Sequence, residues 1–247
     1  MVYLKQSAIE AKLWLRRRET VIFSLLLPVL FLWFFGGIYG NDKIPGTHGT
    51  VKYIDYIVPG YAVYAIMAIA LGTISANIAN DRFFKILKRL GGTPLPRSVL
   101  VASKVTAAGM LAAGVIGVLV LVGILVYHVE LHGNQFAAIL VLALGTVVFA
   151  TMGITLGGIL KAEAAVAAGS LLYLALSFLG GVFVPRYNWG GGLKAFSQYL
   201  PSERMVHAMQ VIWTNGAGLS AVGQDLLVMA IWAAGALLVA SRWFRWE

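Results

Sequence analysis

The stretch Val105–Val129, VTAAGMLAAGVIGVLVLVGILVYHV, holds 25 residues without one Asp, Glu, Lys or Arg. An α-helix rises about 1.5 Å per residue, so roughly 20 such residues cross the ~30 Å hydrocarbon core of a bilayer. The run is apolar on all sides, whereas strands of a membrane barrel alternate apolar and polar residues over about 10 positions. This stretch therefore predicts a membrane-spanning α-helix.

Similar charge-poor runs recur along the whole chain. Of its 247 residues, 60% are hydrophobic and 12% charged, about half the charged fraction of a soluble domain. No segment between the runs is long enough for a soluble domain, because unaided folding becomes marginal below about 40 residues. The pattern predicts an all-α integral membrane protein, one transmembrane domain over 1–247 with six transmembrane helices, at 20–41, 56–80, 102–127, 136–160, 164–185 and 222–243.

Basic residues are distributed unevenly over the segments between these predicted helices. Six spans place both termini on one side, and fourteen of the 19 Lys and Arg residues fall on that side. Basic residues accumulate on the cytoplasmic side of membrane proteins. The net charge of +9 therefore predicts cytoplasmic termini and contact with anionic membrane lipid, and it argues against a nucleic-acid partner.

Sequence signatures of catalysis are missing. The chain has no Cys, which excludes disulfides, thiol nucleophiles and Cys-ligated metals. It has no G-x-x-x-x-G-K-[ST] loop, so we expect no ATPase site in this chain. His128 and His132 have the spacing of two metal ligands on a helix. Because further ligands are missing nearby, we expect solvated loop histidines and no metal site.

The segment before the first predicted span, 1–19, has the pattern of an amphipathic helix. Apolar residues recur there at helical spacing: Leu4, Ala8, Ala11 and Leu15. Basic residues occupy another face: Lys5, Lys12 and Arg16. Such a helix lies in the membrane interface. We therefore expect an interfacial helix on the inner surface, with Trp14 at the depth of the lipid headgroups.

The segment between predicted spans five and six, 186–221, does not resemble a simple loop. Two short apolar periodic patterns are separated at Leu200–Pro201, shortly before Arg204. Because neither is long enough to span, they predict external re-entrant helices, which persist at membrane depth only when buried against protein or lining a cavity. The alternative is a pair of helices lying on the outer surface.

The longest predicted cytoplasmic loop, 81–97, reads DRFFKILKRLGGTPLPR. Helical spacing places Phe83, Leu87 and Leu90 on one stripe, and the basic residues on another. Gly and Pro residues end the helix after Leu90. The pattern predicts a short, rigid coupling helix that projects from the membrane and docks a cytoplasmic partner through Phe side chains and a cationic rim. The alternative is a surface helix paired with anionic lipid.

These residues resemble a known family. Lys85–Lys104, KILKRLGGTPLPRSVLVASK, is similar to the cytoplasmic loop of ABC-2 type transporter permeases, especially those related to daunorubicin-resistance exporters. Further similarities are YIVPG at Tyr56–Gly60, Leu200–Pro201 followed by Arg204, and RWFRWE at Arg242–Glu247. With six spans and the N-terminal helix, the resemblance covers essentially the whole chain.

The resemblance implies the membrane subunit of an ATP-binding-cassette exporter in the cell membrane of a bacterium or archaeon. It implies a second permease copy or a homologous permease, and two cytoplasmic ABC ATPase subunits that bind ATP and Mg. The cargo would be a hydrophobic or amphipathic compound: a drug, a lipid or a lipid-linked molecule. No cofactor or metal is implied for this chain itself.

The resemblance also implies roles for particular residues. The segment that couples to the ATPase comprises Asp81, Arg82, Phe83, Phe84, Lys85, Leu87, Lys88, Arg89 and Leu90. The elbow helix before span one contributes Trp14, Arg16, Arg17 and Arg18. The external gate includes Leu200, Pro201 and Arg204.

Two other functions stay open at this point. A polysaccharide-exporting ABC permease shares the architecture. A passive channel or an ion-coupled transporter is the alternative from another class. Ion-coupled transporters normally carry ionisable residues inside the membrane, and the predicted spans hold none in their charge-free runs. A passive channel leaves the aromatic and basic docking segment unexplained.

Overall fold

The computed structural model describes residues 2–16, 18–40, 42–44, 51–93, 95–131, 133–184, 186 and 189–243. Over these residues the chain is helical and forms no strand, apart from an isolated antiparallel bridge between Lys43 and Lys52. The predicted all-α class is therefore confirmed.

The helices follow one another with short connections. In chain order they are α1 (Val2–Arg16), α2 (Arg18–Tyr39), α3 (Tyr53–Ile66), α4 (Ile74–Phe83), α5 (Ile86–Gly91), α6 (Arg97–Tyr127), α7 (Gln135–Ile159), α8 (Ala162–Leu179), α9 (Gly191–Ser197), α10 (Pro201–Asn215) and α11 (Gly223–Trp243). A π-helical segment, Met67–Thr73, joins α3 to α4, and a 3-10 turn, Leu219–Val222, precedes α11.

Among the described residues, five helical stretches are long and apolar enough to cross a membrane. They are Tyr53–Phe83, Ser98–Tyr127, Gln135–Ile159, Ala162–Leu179 and Leu219–Trp243. These correspond to predicted spans two to six, although the helix of span five ends before its predicted limit at 185. The region of predicted span one contains a shorter apolar helix, Ser24–Tyr39. The total of six spans stays a prediction.

The stretch Tyr53–Phe83 is the central helix of the bundle, with most of its length buried by other helices. Glycines of α7 allow this close packing. A Cβ atom added at Gly153 would lie 2.4 Å from the carbonyl oxygen of Ala70, and one at Gly157 would lie 2.5 Å from that of Ser75. Small residues let helix backbones approach in this way in membranes. The α7 glycines therefore pack within the chain.

The N-terminal helix α1 lies against α6, with part of its surface buried. Trp14 belongs to the buried face and is 3% exposed; its depth relative to the lipid headgroups stays a prediction. Leu4 and Leu15, from the predicted apolar stripe, are instead 70% and 63% exposed. Arg16 is exposed. Arg17 and the side chain of Arg18 lie outside the described residues.

Helices α9 and α10 occupy the segment between predicted spans five and six. Leu200 is the N-cap of α10 and Pro201 its first residue, where Pro costs no helical hydrogen bond. Most of α10 is buried between α3, α7 and α11, whereas α9 is largely exposed. Their depth in the bilayer stays a prediction.

Candidate functional site

The predicted cytoplasmic loop contains a sharp break in the helix that the sequence analysis expected to be continuous. Helix α4 ends at Phe83, and α5 begins only at Ile86. Between them, Lys85 has left-handed backbone angles of φ 55° and ψ 25°, a conformation that costs a non-glycine residue roughly 1–2 kcal/mol. The prediction of a single helix over this segment is therefore wrong.

The break separates side chains that were expected on one stripe. Phe83 and Phe84 are 71% and 62% exposed, and their rings meet edge to face with centroids 5.2 Å apart. Leu87 is only 2% exposed and belongs to the hydrophobic core, and Leu90 packs partly against it. Leu87, expected to dock a partner, is thus a core residue that a partner cannot reach.

Basic side chains surround the exposed Phe pair. Lys85, Lys88 and Arg89 are all exposed. The Arg89 guanidinium donates a hydrogen bond to the Phe84 carbonyl oxygen at 3.2 Å, which fixes the turn. We refer to these five residues, Phe83, Phe84, Lys85, Lys88 and Arg89, as the aromatic–basic patch. A cavity of about 350 Å³ separates the patch from the turn between α7 and α8.

Arg82 holds the base of this patch in place. Its Nη1 donates hydrogen bonds to the carbonyl oxygens of Gly157 and Leu160, each at 3.0 Å. The last carbonyls of a helix lack partners within the helix, and a basic side chain can satisfy them. Arg82 was expected on the exposed basic stripe with Lys85 and Arg89. It instead connects the end of the central helix to the end of α7 through these hydrogen bonds.

Asp81 forms an ion pair with Lys104, which the sequence analysis did not predict. Lys104 Nζ lies 2.9 Å from Asp81 Oδ2 and 3.2 Å from Glu10 Oε1. The Lys104 side chain is 5% exposed and that of Glu10 is 7% exposed. This ion cluster joins α1, α4 and α6. The signal in the sequence was Lys104 itself, because a charge within a long apolar helix requires a partner.

A second ion cluster joins α10 to the beginning of α11. Arg204 Nη1 lies 3.0 Å from Asp225 Oδ1, and His207 Nδ1 lies 2.9 Å from Asp225 Oδ2. Asp225 is 1% exposed and lies in the first turn of α11, where the helix dipole favours a negative charge. The predicted gate residue Arg204 is thus part of a buried network, to which the partly exposed His207 also belongs.

Glu203 extends this cluster. Its carboxylate lies 3.7 Å from Arg204 Nε and contacts Arg186. Burial raises the pKa of Glu203 above its ordinary value, against the opposing effect of the two Arg residues. The hydrogen bond to Asp225 is the main cause that raises the pKa of His207, and burial opposes it. Both groups therefore hold a proton more tightly in the folded protein.

The side of the central helix that faces α2 and α8 borders a polar cavity of about 350 Å³. Gly72 of the π-helical segment lines it, and π-helical turns occur often at functional sites. Tyr64 also lines it, with its ring 5.8 Å from that of Tyr173 and 5.5 Å from that of Phe183. Hydroxyl and amide side chains complete the wall: Ser24, Thr73, Asn77, Asn80 and Ser170.

Metal ligands are not assembled in the part of the chain that the structure describes. No group of three or more His, Asp or Glu side chains there is placed to hold a metal ion. His128 ends α6 with φ 55° and is exposed. His48 and His132 lie outside the described residues, as do Pro94 and the C-terminal residues 244–247.

The fold defines a class: a helical protein that crosses the membrane several times, with a polar cavity among its helices. The family model of the ABC-2 type transporter matches residues 7–213, and the chain belongs to this family. The chain is 24% identical over 229 residues to "Putative transport permease YvfS" of Bacillus subtilis (strain 168), covering 92% of this chain and 91% of that protein. The resemblance of the cytoplasmic loop to this family is confirmed.

Membership in the family establishes the general role of the chain. It is a membrane subunit of an ABC transporter, and its family works in general with an ABC ATPase. The predicted membrane location agrees with the family and with the apolar helices.

Proposed function

We propose that this chain moves a hydrophobic or amphipathic compound outward, driven by two ATPase subunits that bind ATP and Mg. A second copy or a homologous permease completes the pathway. The observation that carries the proposal is the aromatic–basic patch at the end of the central helix. Exposed Phe side chains ringed by Lys and Arg suit a protein partner, since aromatic and Arg residues are enriched among residues that dominate binding energy.

The connections beneath the patch support a role in coupling. Arg82 links it to α7 and Asp81 links it to Lys104 of α6. A push on Phe83 and Phe84 therefore acts on the central helix and on two neighbouring helices together. Closure of the two ATPase subunits would move the patch. The central helix would transmit this movement to the polar cavity beside Tyr64, because it borders both the patch and that cavity.

The topology we propose has six spans, with α2 as the first and both termini in the cytoplasm. Helix α1 is the elbow helix in the inner interface, and α9 and α10 are re-entrant from outside. The burial of α10 against α3, α7 and α11 supports this arrangement, because helices of this length persist in a membrane only when protein covers them.

The cavity beside Tyr64 and Tyr173 supports an amphipathic cargo such as a drug, lipid or lipid-linked molecule. Aromatic rings offer apolar contact, and the neighbouring Asn and Ser side chains offer hydrogen bonds. The cavity is open toward the outside of the bundle. A second permease packed there would close it and form a shared pathway.

The experiment that tests the proposal is co-purification with the ABC ATPase encoded beside its gene. Phe83→Ala combined with Phe84→Ala should abolish ATPase capture, with permease yield and melting temperature unchanged. The matched control is Phe136→Ala with Phe196→Ala, two other Phe side chains that are 65% and 57% exposed. Undiminished capture by the Phe83/Phe84 variant would refute the docking assignment.

The same complex tests the rest of the proposal. We expect a mass of two permeases plus two ATPases, and ATP-dependent uptake of an amphipathic dye into inverted vesicles. Capture of the ATPase without transport of any amphipathic dye, but with transport of a lipid-linked glycan, would instead support the polysaccharide exporter.

A further inference from the structure

A groove lies between α1, α2 and α6, with a volume of about 250 Å³ and an almost entirely apolar lining. It is distinct from the polar cavity beside Tyr64, since no residue lines both. Its walls include Trp14 and Leu15 of α1, Leu25 of α2, and Met110, Gly114 and Val118 of α6.

The groove has the length of one leaflet. Its lining on α6 runs from Ala107 to Val118, which at about 1.5 Å per residue is roughly 16 Å. One leaflet contributes about half of the ~30 Å hydrocarbon core. A single lipid acyl chain lying along α6 therefore matches the groove from end to end.

The described residues do not fill the space within the groove. A Cβ atom added at Gly114 would meet none of their atoms within 4 Å. Two of the apolar wall residues, Leu15 and Met110, are 63% and 57% exposed. In a membrane, such a surface is covered by lipid or by another apolar group.

Charge beside the groove favours one kind of lipid. Lys12 and Arg16 of α1 are exposed, and each adjoins in sequence a residue that lines the groove, Ala11 or Leu15. Glu10 is 5% exposed, and its carboxylate lies 3.2 Å from Lys104 Nζ. The exposed charge of α1 beside the groove is therefore that of the two cations, which favour an anionic headgroup. Basic residues next to a membrane surface attract such lipids by about 1 kcal/mol each.

We propose that this groove binds one acyl chain of an anionic glycerophospholipid, with the lipid phosphate held by Lys12 and Arg16. The lipid acts as a resident ligand that fixes α1 against α2 and α6. This assignment rests on the membrane location of the chain, and it stands whether or not the ATPase docks on the aromatic–basic patch.

The experiment uses the full chain purified in mild detergent, with phosphatidylglycerol or phosphatidylcholine added, and native mass spectrometry to count bound lipid. Gly114→Leu adds a side chain at a wall of the groove where a Cβ atom has open space, and it should lower phosphatidylglycerol retention at least about tenfold, a loss of about 1.4 kcal/mol. Gly117→Leu is the matched control, because a Cβ there also meets no atom within 4 Å and Gly117 does not line the groove. Equal retention by the two variants would overturn the proposal.

A second variant separates the headgroup from the chain. Lys12→Gln combined with Arg16→Gln should remove the preference for phosphatidylglycerol over phosphatidylcholine, with phosphatidylcholine retention unchanged. Lys5→Gln, another exposed cation of α1, is the control and should keep the preference. A preference that survives in the double variant would refute the assignment of the phosphate site. Thermal unfolding of each variant verifies that all of them are folded.

Discussion

Lys104 Nζ lies 2.9 Å from Asp81 Oδ2, so an ion pair with little exposure to water fixes the end of α4 to α6. The same ammonium lies 3.2 Å from Glu10 of α1. One cation is therefore shared by carboxylates from two other helices, and its removal leaves both of them without their counter-charge.

We expect Lys104→Met to destabilise the permease by about 3–5 kcal/mol, the usual cost of removing one partner of a buried ion pair. The measurement is thermal unfolding of the purified permease. Lys5→Met, an exposed cation of α1, should change the melting temperature little. Adding Glu10→Gln and Asp81→Asn to Lys104→Met should recover part of the loss. A Lys104→Met protein as stable as Lys5→Met would contradict a structural role for the cluster.

The packing of α7 against the central helix predicts a different kind of sensitivity. In Gly153→Ala, the added methyl group would lie 2.4 Å from the Ala70 carbonyl oxygen and 3.2 Å from Leu71 Cα. Both are backbone atoms that cannot move aside, so we expect a loss of at least about 1–3 kcal/mol, typical of overpacking. Gly117→Ala adds the same group in open space and should be as stable as the parent. The two melting temperatures provide the comparison.

Substitutions at Leu87 and Phe83 test the helix break between α4 and α5. Leu87→Ala removes a side chain from the core and should cost about 2–5 kcal/mol. Phe83→Ala removes a larger side chain that is 71% exposed and should leave stability nearly unchanged. If the loop were one continuous helix with both residues on a docking stripe, the two variants would lose stability equally. Thermal unfolding in the absence of the ATPase distinguishes these results.

The ion cluster between α10 and α11 predicts a pH dependence of stability. Because the hydrogen bond to Asp225 raises the pKa of His207, its stabilising contribution is complete below pH 6.5 and is lost as pH rises through the pKa of the folded state. The raised pKa of Glu203 has the same direction, since ionisation of this buried carboxyl on raising the pH weakens the fold. The melting temperature should therefore fall as the pH rises above 6.5.

His207→Gln isolates the histidine contribution to this pH dependence. The variant should lose part of the decrease, whereas His128→Gln, which changes an exposed histidine at the end of α6, should keep all of it. Unfolding curves of the three proteins across this pH range provide the measurement. An unaltered decrease in His207→Gln would show that the interaction with Asp225 does not titrate in this range.

The helices themselves could be predicted well from the sequence. Long apolar runs such as Val105–Val129 predict membrane-crossing helices. Leu200–Pro201 marks the boundary between α9 and α10. These signals are local, because each depends on the length of a run or on the backbone of one residue. The family resemblance, carried by the loop after α4, was likewise contained in contiguous residues.

Side-chain positions were harder to predict for two physical reasons. The buried face of α1 contains Ser7, Glu10, Ala11 and Trp14, and because two of these residues are polar, the apolar periodicity indicated a different face. Pairing over long sequence distances leaves no local trace, which is why the Glu10–Lys104 pair was missed. The break at Lys85 was missed because a lysine with left-handed backbone angles has no signature in the sequence.

The pairing of Glu10 with Lys104 also has a consequence for biosynthesis. The two residues are 94 positions apart, and a ribosome adding about 5–20 residues per second needs about 5 to 20 seconds to make the second after the first. During that interval the Glu10 carboxylate cannot pair with Lys104, and only water and the neighbouring lysines of α1 are available to it. We therefore expect α1 to stay at the membrane surface and to reach its final place once α6 has been inserted.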